Sequence, residues 1–197
     1  MKIGVDIDGV LLDLERFALD CGTKMCIEKN IDVNINLEKY FEGEKFNWTQ
    51  EQEDEFWDTY LLGYVQNSMP RKYASEIIKK LREEGNTISI ITARNENGMP
   101  EEYYGKMQEE TLKWLKNNNI EYDKIFFTTD DDKLNKCKEN NIDIMIEDSP
   151  TNINNISKEI KTIKFDCQYN RNVENENIIK AYSWYHIYQI INDLQSK

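Results

Sequence analysis

Residues 2–10 read Lys-Ile-Gly-Val-Asp-Ile-Asp-Gly-Val. The run is apolar and partly β-branched through Ile7, which predicts a buried strand over residues 2–7. Two carboxylates enter it at alternate positions. In extended backbone Asp6 and Asp8 share one face, and Gly9 lets the chain turn sharply after them. A buried strand that ends in acids and a turn has a natural place in an open α/β sheet, where ligands gather beyond the carboxyl ends of the strands.

Outward from this stretch the same unit recurs. Strands are predicted over 87–92, 124–128, 143–147 and 160–165, with helices over 73–82, 101–116, 131–140, 151–159 and 184–194. Strands separated by helical segments require crossovers, hence a parallel sheet. The stretch between the first strand and Pro70 has a different character. Apolar residues recur at helical spacing from Leu11 to Lys29, and residues 30–68 are polar, acidic and aromatic. Within them Thr49 and Gln52 form a capping-box pattern that opens a helix over 50–62. The expected fold is α/β, a Rossmann-like, doubly wound, mostly parallel sheet. Residues 1–12 and 70–197 form its core, and residues 13–69 form a small helical cap inserted after the first strand.

Composition narrows the function. The chain has 197 residues, enough for one domain and a subdomain. Its 25 Lys and Arg against 37 Asp and Glu give a net charge of −12, which disfavours a nucleic-acid polymer or an anionic membrane as partner. Residues 28–69 hold ten acids and three bases, so the predicted cap carries much of the excess. No apolar run approaches membrane-spanning length, and the opening residues lack the pattern of a secretory signal. Cys21, Cys26, Cys137 and Cys167 form no CxxC pair, and His186 is the single histidine. This argues against structural zinc and for a reducing, cytoplasmic setting. It also leaves a His-dependent triad resting on one residue of a C-terminal amphipathic helix.

The chemistry lies in the residues just beyond each strand. Thr92-Ala93-Arg94 comes after the second, Asp130-Asp131-Asp132-Lys133 opens the helix after the third, and Glu147-Asp148-Ser149-Pro150 comes after the fourth. Asp6, Asp8 and Asp148 repel one another unless a cation neutralises them, and hard oxygen ligands suit Mg²⁺. Such a site holds a phosphate oxygen beside a carboxylate nucleophile. Thr92 and the backbone N–H at Ala93 can bind the remaining phosphate oxygens, while Lys133 offsets their charge and that of Asp6. A second aspartate two residues on can protonate a leaving alkoxide and then deprotonate the attacking water.

Asp6-Ile7-Asp8-Gly9-Val10, Ile91-Thr92-Ala93-Arg94, Lys133 and Glu147-Asp148-Ser149-Pro150 resemble the four motifs of the haloacid dehalogenase-like superfamily. Within it the chain resembles the 5'(3')-deoxyribonucleotidase-like group, on the Asp6-to-Glu15 opening, the cap's size and position, and the Glu147-to-Ile153 segment. The resemblance covers residues 1–12 and 70–165. It implies a phosphomonoesterase working through an aspartyl-phosphate, with Asp6 as nucleophile and Asp8 as general acid and base. Thr92 and Lys133 would bind phosphate. Mg²⁺ would be held by Asp6, the Asp8 backbone carbonyl and Asp148, with Glu147 acting on it through water. The group acts on nucleoside monophosphates, preferring pyrimidine deoxynucleotides, with cap aromatics around the base. That puts Trp48, Trp57, Tyr64 and Arg94 at the substrate, although Arg94 departs from the better-known members. Two other readings stay open: a phosphatase for another small ester, such as a sugar or cofactor phosphate, and a non-enzymatic phospho-acceptor domain. In the leading reading the partner is a small phosphorylated metabolite, and the protein is a monomer or homodimer.

Overall fold

A computed structural model describes residues 1–94, 103 and 105–196. The elements run β1 (Lys2–Val5), α1 (Leu14–Lys29), α2 (Glu42–Phe46), α3 (Gln50–Asn67), α4 (Ala74–Glu83), β2 (Thr87–Thr92) and α5 (Lys106–Asn117). They continue with β3 (Lys124–Phe127), α6 (Lys133–Glu139), β4 (Ile144–Glu147), α7 (Pro150–Ile156), β5 (Lys161–Phe165), β6 (Ile178–Ala181) and α8 (Trp184–Gln195). The six strands form one sheet in the order β3-β2-β1-β4-β5-β6, and every pairing is parallel. The expected α/β architecture is therefore present, with a sheet that is wholly parallel among the described residues.

Burial on both faces explains the sequence of the strands. Adjacent residues go to opposite sides. Ile90 joins the main core with Ile3, Val5, Ile146 and the apolar faces of α4, α5 and α8. Ile91 and Met145 join a second core beneath α6 and α7, with Cys137, Ile156 and Ile160. Strands covered by helices on both sides read as continuous apolar runs instead of alternating ones. A third cluster belongs to the inserted helices, where Ala18, Met25, Cys26, Phe46, Trp48 and Phe56 pack together. Gly22 is what lets α1 come this close, since a Cβ there would lie 2.5 Å from Phe46 Cζ.

The first strand is shorter than the sequence suggests. It ends at Val5, and the Ile7 carbonyl then accepts backbone N–H bonds from Val10, Leu11 and Leu12 at 3.3, 2.8 and 2.9 Å. Asp6 and Asp8 are thus set by a tight turn and not by an extended face. Because Leu11 and Leu12 are used in that turn, α1 begins at Leu14, capped by Asp13 Oδ1 on the Arg16 N–H at 3.1 Å. The capping box at Thr49 and Gln52 is present. The helix it opens continues to Asn67, past Gly63, where a Cβ would meet nothing within 4 Å. That continuation carries Tyr64 and Val65 into the main core.

Two further differences are local. The fifth helix begins at Lys106, behind a left-handed Gly105 with φ of 76°; the earlier part of the predicted helix at Glu101, Glu102 and Tyr104 lies outside the described residues. The edge strand β6 is absent from the sequence reading, because four residues (Ile-Ile-Lys-Ala) carry too little periodicity to separate from a loop. No helix among the described residues is long and apolar enough to cross a membrane.

Candidate active site

Strand order reverses around β1. The chain adds β2 and β3 on one side, then returns to add β4, β5 and β6 on the other. The crevice between the carboxyl ends of β1 and β4 is therefore a topological switch point, the usual ligand position in such sheets. Register pairs Val5 with Ile90 of β2 and with Ile146 of β4. The Asp6 N–H continues that pairing to the Ile146 carbonyl at 3.1 Å. Asp6 and Glu147-Asp148 consequently emerge side by side.

Lys133, the first residue of α6, reaches into this acid pair. Its Nζ lies 3.0 Å from Asp6 Oδ1 and 3.2 Å from Glu147 Oε2, with its side chain 2% exposed. Burial alone would lower the lysine pKa, but the Asp6 and Glu147 charges outweigh it and hold Lys133 protonated. On the acids the balance runs the other way. Desolvation and then the Glu147 charge push Asp6 well above the carboxylate range, with Lys133 opposing. Burial likewise pushes Glu147 and Asp148 up to about 7. Glu147 is also anchored by Asn152, whose Nδ2 donates to its Oε1 at 3.1 Å and to Asp130 Oδ1 at 2.7 Å.

Asp148 is held from the loop after β5. The Tyr169 hydroxyl donates to its Oδ2 at 2.5 Å, and Asn170 Nδ2 donates to its backbone carbonyl at 2.8 Å. Its other oxygen, Oδ1, is buried and has no hydrogen-bond partner among the described residues. Asp6, Glu147 and Asp148 each offer an oxygen, and the three lie within 4.8 Å of one another. A buried orphan oxygen amid three crowded hard donors fits a small divalent cation of the Mg²⁺ type.

Gly9 permits this crowding. Its φ is +77°, and a Cβ there would lie 1.9 Å from Asp148 Oδ2. Gly9→Ala is expected to lose about 1–2 kcal/mol for the left-handed backbone alone and, by displacing Asp148, to lower phosphate release by a larger factor. A urea titration beside a turnover assay checks both; unchanged turnover would show that the Asp148 position is unimportant.

Asp8 sits across the cavity from the acid pair and is more exposed. Arg94 grips it with Nε to Oδ2 at 2.9 Å and Nη2 to Oδ1 at 2.6 Å, and the Tyr64 hydroxyl donates to Oδ1 at 2.6 Å. Burial works toward a raised pKa here, and the Arg94 charge and hydrogen bonds overcome it, keeping Asp8 below the usual carboxylate range.

A cavity of about 220 Å³ opens over these groups. Asp6, Asp8, Ala93, Asp130 and Lys133 form its polar side, and Leu14, Tyr40, Trp57, Leu61 and Tyr64 of the inserted segment face them. The predicted residues Asp6, Asp8, Lys133, Glu147 and Asp148 are thus brought together, and Trp57, Tyr64 and Arg94 also reach the cavity. Thr92 is fully buried at the end of β2, where its Oγ1 accepts the Arg94 N–H at 3.3 Å.

Trp48 corrects the sequence reading. Its ring stacks on Phe46 at 4.4 Å and its Nε1 donates to Cys26 Sγ at 3.3 Å, so it fills the inserted segment's own core and does not line the cavity. Arg94 differs too in its partner, since its guanidinium faces Asp8. Tyr40 and Asn152 join the site without a role in the sequence reading, and Asp130, there only part of the acidic run that opens the helix after the third strand, lines the cavity and accepts from Asn152. Tyr40, in an irregular stretch, has no periodicity to mark it, whereas Asp130 and Asn152 sit beside motif residues and could be flagged by that proximity.

Known proteins resemble this chain in fold and in sequence. A Streptococcus pneumoniae hydrolase of the haloacid dehalogenase-like family superposes with a TM-score of 0.66 at 13% identity, covering 96% of this chain and 97% of its own. The D,D-heptose 1,7-bisphosphate phosphatase of B. bronchiseptica, solved with magnesium and phosphate, gives 0.56 at 10% identity, with 100% of each chain covered. These likenesses show the fold. In sequence, a nucleotidase of Clostridium acetobutylicum is 27% identical over 198 residues, covering 100% of this chain and 96% of its own. The family of 5' nucleotidase, deoxy (pyrimidine), cytosolic type C proteins matches residues 1–197. Matched from end to end, the chain belongs to that family, phosphoric monoester hydrolases on the haloacid dehalogenase-like fold.

Proposed function

We propose that the protein hydrolyses a nucleoside monophosphate through a phosphoryl-Asp6 intermediate. The observation that carries this reading is the convergence of Asp6, Lys133, Asp148 and Asp8 at the β1/β4 crevice, under a cavity faced by Trp57, Tyr64 and Tyr40. Phosphate lies at the polar side, with Lys133 and the Ala93 N–H as its binding groups, while the buried Thr92 hydroxyl anchors the Arg94 N–H. The base meets the aromatic side, where ring faces suit a flat π-system. Helices α1–α3 act as a cap over residues 1–12 and 70–197.

Asp6 attacks phosphorus, and the bond from phosphorus to the ester oxygen breaks. Asp8 gives that oxygen a proton, then takes one from the water that attacks the aspartyl-phosphate, so the pair of steps returns both carboxylates to their starting state. The proton Asp8 gives arrives with the substrate, because a phosphate monoester itself holds a second proton up to a pKa of about 6, and the proton Asp8 takes from water leaves with the product phosphate. Lys133 offsets the growing charge on the phosphoryl oxygens. Mg²⁺, when bound by Asp6, the Asp8 carbonyl and Asp148, supplies charge neutralisation and orientation at the phosphate. The four free cysteines suit a reducing cytoplasmic setting.

A phosphate-release screen over nucleoside and sugar monophosphates, with Mg²⁺ or with EDTA, tests the reading. Nucleoside monophosphates are expected to turn over with Mg²⁺, and EDTA to lower the rate by about 10²-fold or more, reversibly. Turnover of a sugar phosphate with every nucleotide inert overturns the substrate assignment.

A further inference from the structure

Arg94 is among the most completely engaged cations of the fold. It is 5% exposed, and its guanidinium meets the turn that carries Asp8 and the helices α3 and α5. Nε and Nη2 grip Asp8 at 2.9 and 2.6 Å, and Nη1 lies 3.4 Å from Oγ1 of the buried Thr111 on α5. The Tyr64 ring, from α3, lies 5.3 Å from Cζ. Its own backbone is fixed by the N–H bond to Thr92 Oγ1.

The two oxygens of Asp8 are treated unequally. A carboxylate oxygen has two lone-pair directions. Oδ1 accepts from both Arg94 Nη2 and the Tyr64 hydroxyl, so both of its directions are taken. Oδ2 accepts Arg94 Nε and, among the described residues, keeps one direction open. A side chain with free rotation about its last torsion presents either oxygen to the cavity; a two-point fork removes that freedom.

We propose that Arg94 is a positioning residue that, together with Tyr64, fixes the Asp8 carboxylate so that Oδ2 is the oxygen exchanging protons with the leaving group and with water. This rests on the phosphatase reading above and assigns Arg94 a role different from substrate contact. Because Tyr64 comes from α3 and Arg94 from the residues just after β2, the full set of bonds to Asp8 needs α3 seated on the sheet.

The test is Arg94→Ala, read as kcat against KM on a nucleoside monophosphate and on p-nitrophenyl phosphate. Loss of general acid–base alignment is expected to lower kcat by about 10²–10³-fold, with KM within about threefold. On p-nitrophenyl phosphate a burst of p-nitrophenolate is expected, since the phenolate leaves without a proton while water still needs its base. Guanidinium ion at millimolar concentration is expected to restore part of kcat by refilling the fork, and Arg94→Lys, with one point of contact, to restore less. A tenfold or greater rise in KM at unchanged kcat makes Arg94 a substrate contact and overturns the proposal. Equal losses on both substrates with no burst and no guanidinium rescue overturn it in favour of a structural role. Should Arg94→Ala fail to fold, Tyr64→Phe removes one bond to Oδ1 and is expected to lower kcat several-fold at constant KM; an unaltered kcat there also overturns it. The native chain is the control: if it hydrolyses no monophosphate, the phosphatase reading itself fails, before any variant is compared.

Discussion

Asp6→Asn is expected to reduce phosphate release by at least about 10⁴-fold, roughly 5 kcal/mol of transition-state stabilisation. Asn cannot form the acyl phosphate, and the other acids around the cavity among the described residues are held by partners of their own, Asp130 by Asn152. Glu147 is tied to Lys133 and Asn152, Asp148 to Tyr169, and Asp8 to Arg94. The fold should survive, because the amide is isosteric and relieves like-charge crowding with Glu147 and Asp8. The urea midpoint in EDTA is accordingly expected at or above that of the native chain. Near-native turnover by a folded Asp6→Asn protein would falsify the covalent mechanism.

Lys133→Met is expected to have the largest effect on stability. It leaves Asp6, Glu147 and Asp148 buried together without their cation. Removing one partner of a buried ion pair costs about 3–5 kcal/mol, which for a chain of this size is a fall in Tm of roughly 10 °C. The linkage has a definite direction. Folded-state pKa values raised by burial, as for Glu147 and Asp148 at about 7, mean that these acids oppose folding once they are ionised. The variant's deficit should therefore shrink as pH falls from 8 toward 5. Mg²⁺ should also stabilise the variant more than the native chain, since it supplies the missing positive charge. Equal urea midpoints for the two proteins in EDTA at pH 8 would show that Lys133 is not the counter-charge of the cluster.

Much of the site was legible because the chemistry sits at strand ends. An apolar run followed by Asp6, Thr92 or Asp148 announces both a strand and its terminus, and the parallel topology then places those termini together. Lys133 was legible by its position at the start of a helix, where a cation is locally unfavourable. What the sequence concealed depends on torsion and reach. Trp48 and Trp57 look alike as aromatics in one segment, yet one stacks on Phe46 and the other faces the cavity. Tyr64 gained its contact with Asp8 because α3 runs past Gly63, and a glycine in a helical pattern is usually read as a stop. The turn at Ile7 depends on one carbonyl accepting several N–H groups, which no residue pattern encodes.

The junction of the inserted segment has a consequence for how such a protein diversifies. Leu12 and Pro70 form an antiparallel bridge, and the Arg71 N–H donates to the Leu11 carbonyl at 2.7 Å. Departure and return thus occur at neighbouring points, as in a hairpin stem. Doubling the length of an excursion with adjoining ends costs only about 0.6 kcal/mol in closure entropy. Chain closure therefore sets little limit on the length of what is threaded between residues 12 and 70, so long as Tyr64 still reaches Asp8. Length can be gained or lost at that junction at small entropic cost, while the Leu12–Pro70 bridge keeps the two ends of the excursion together.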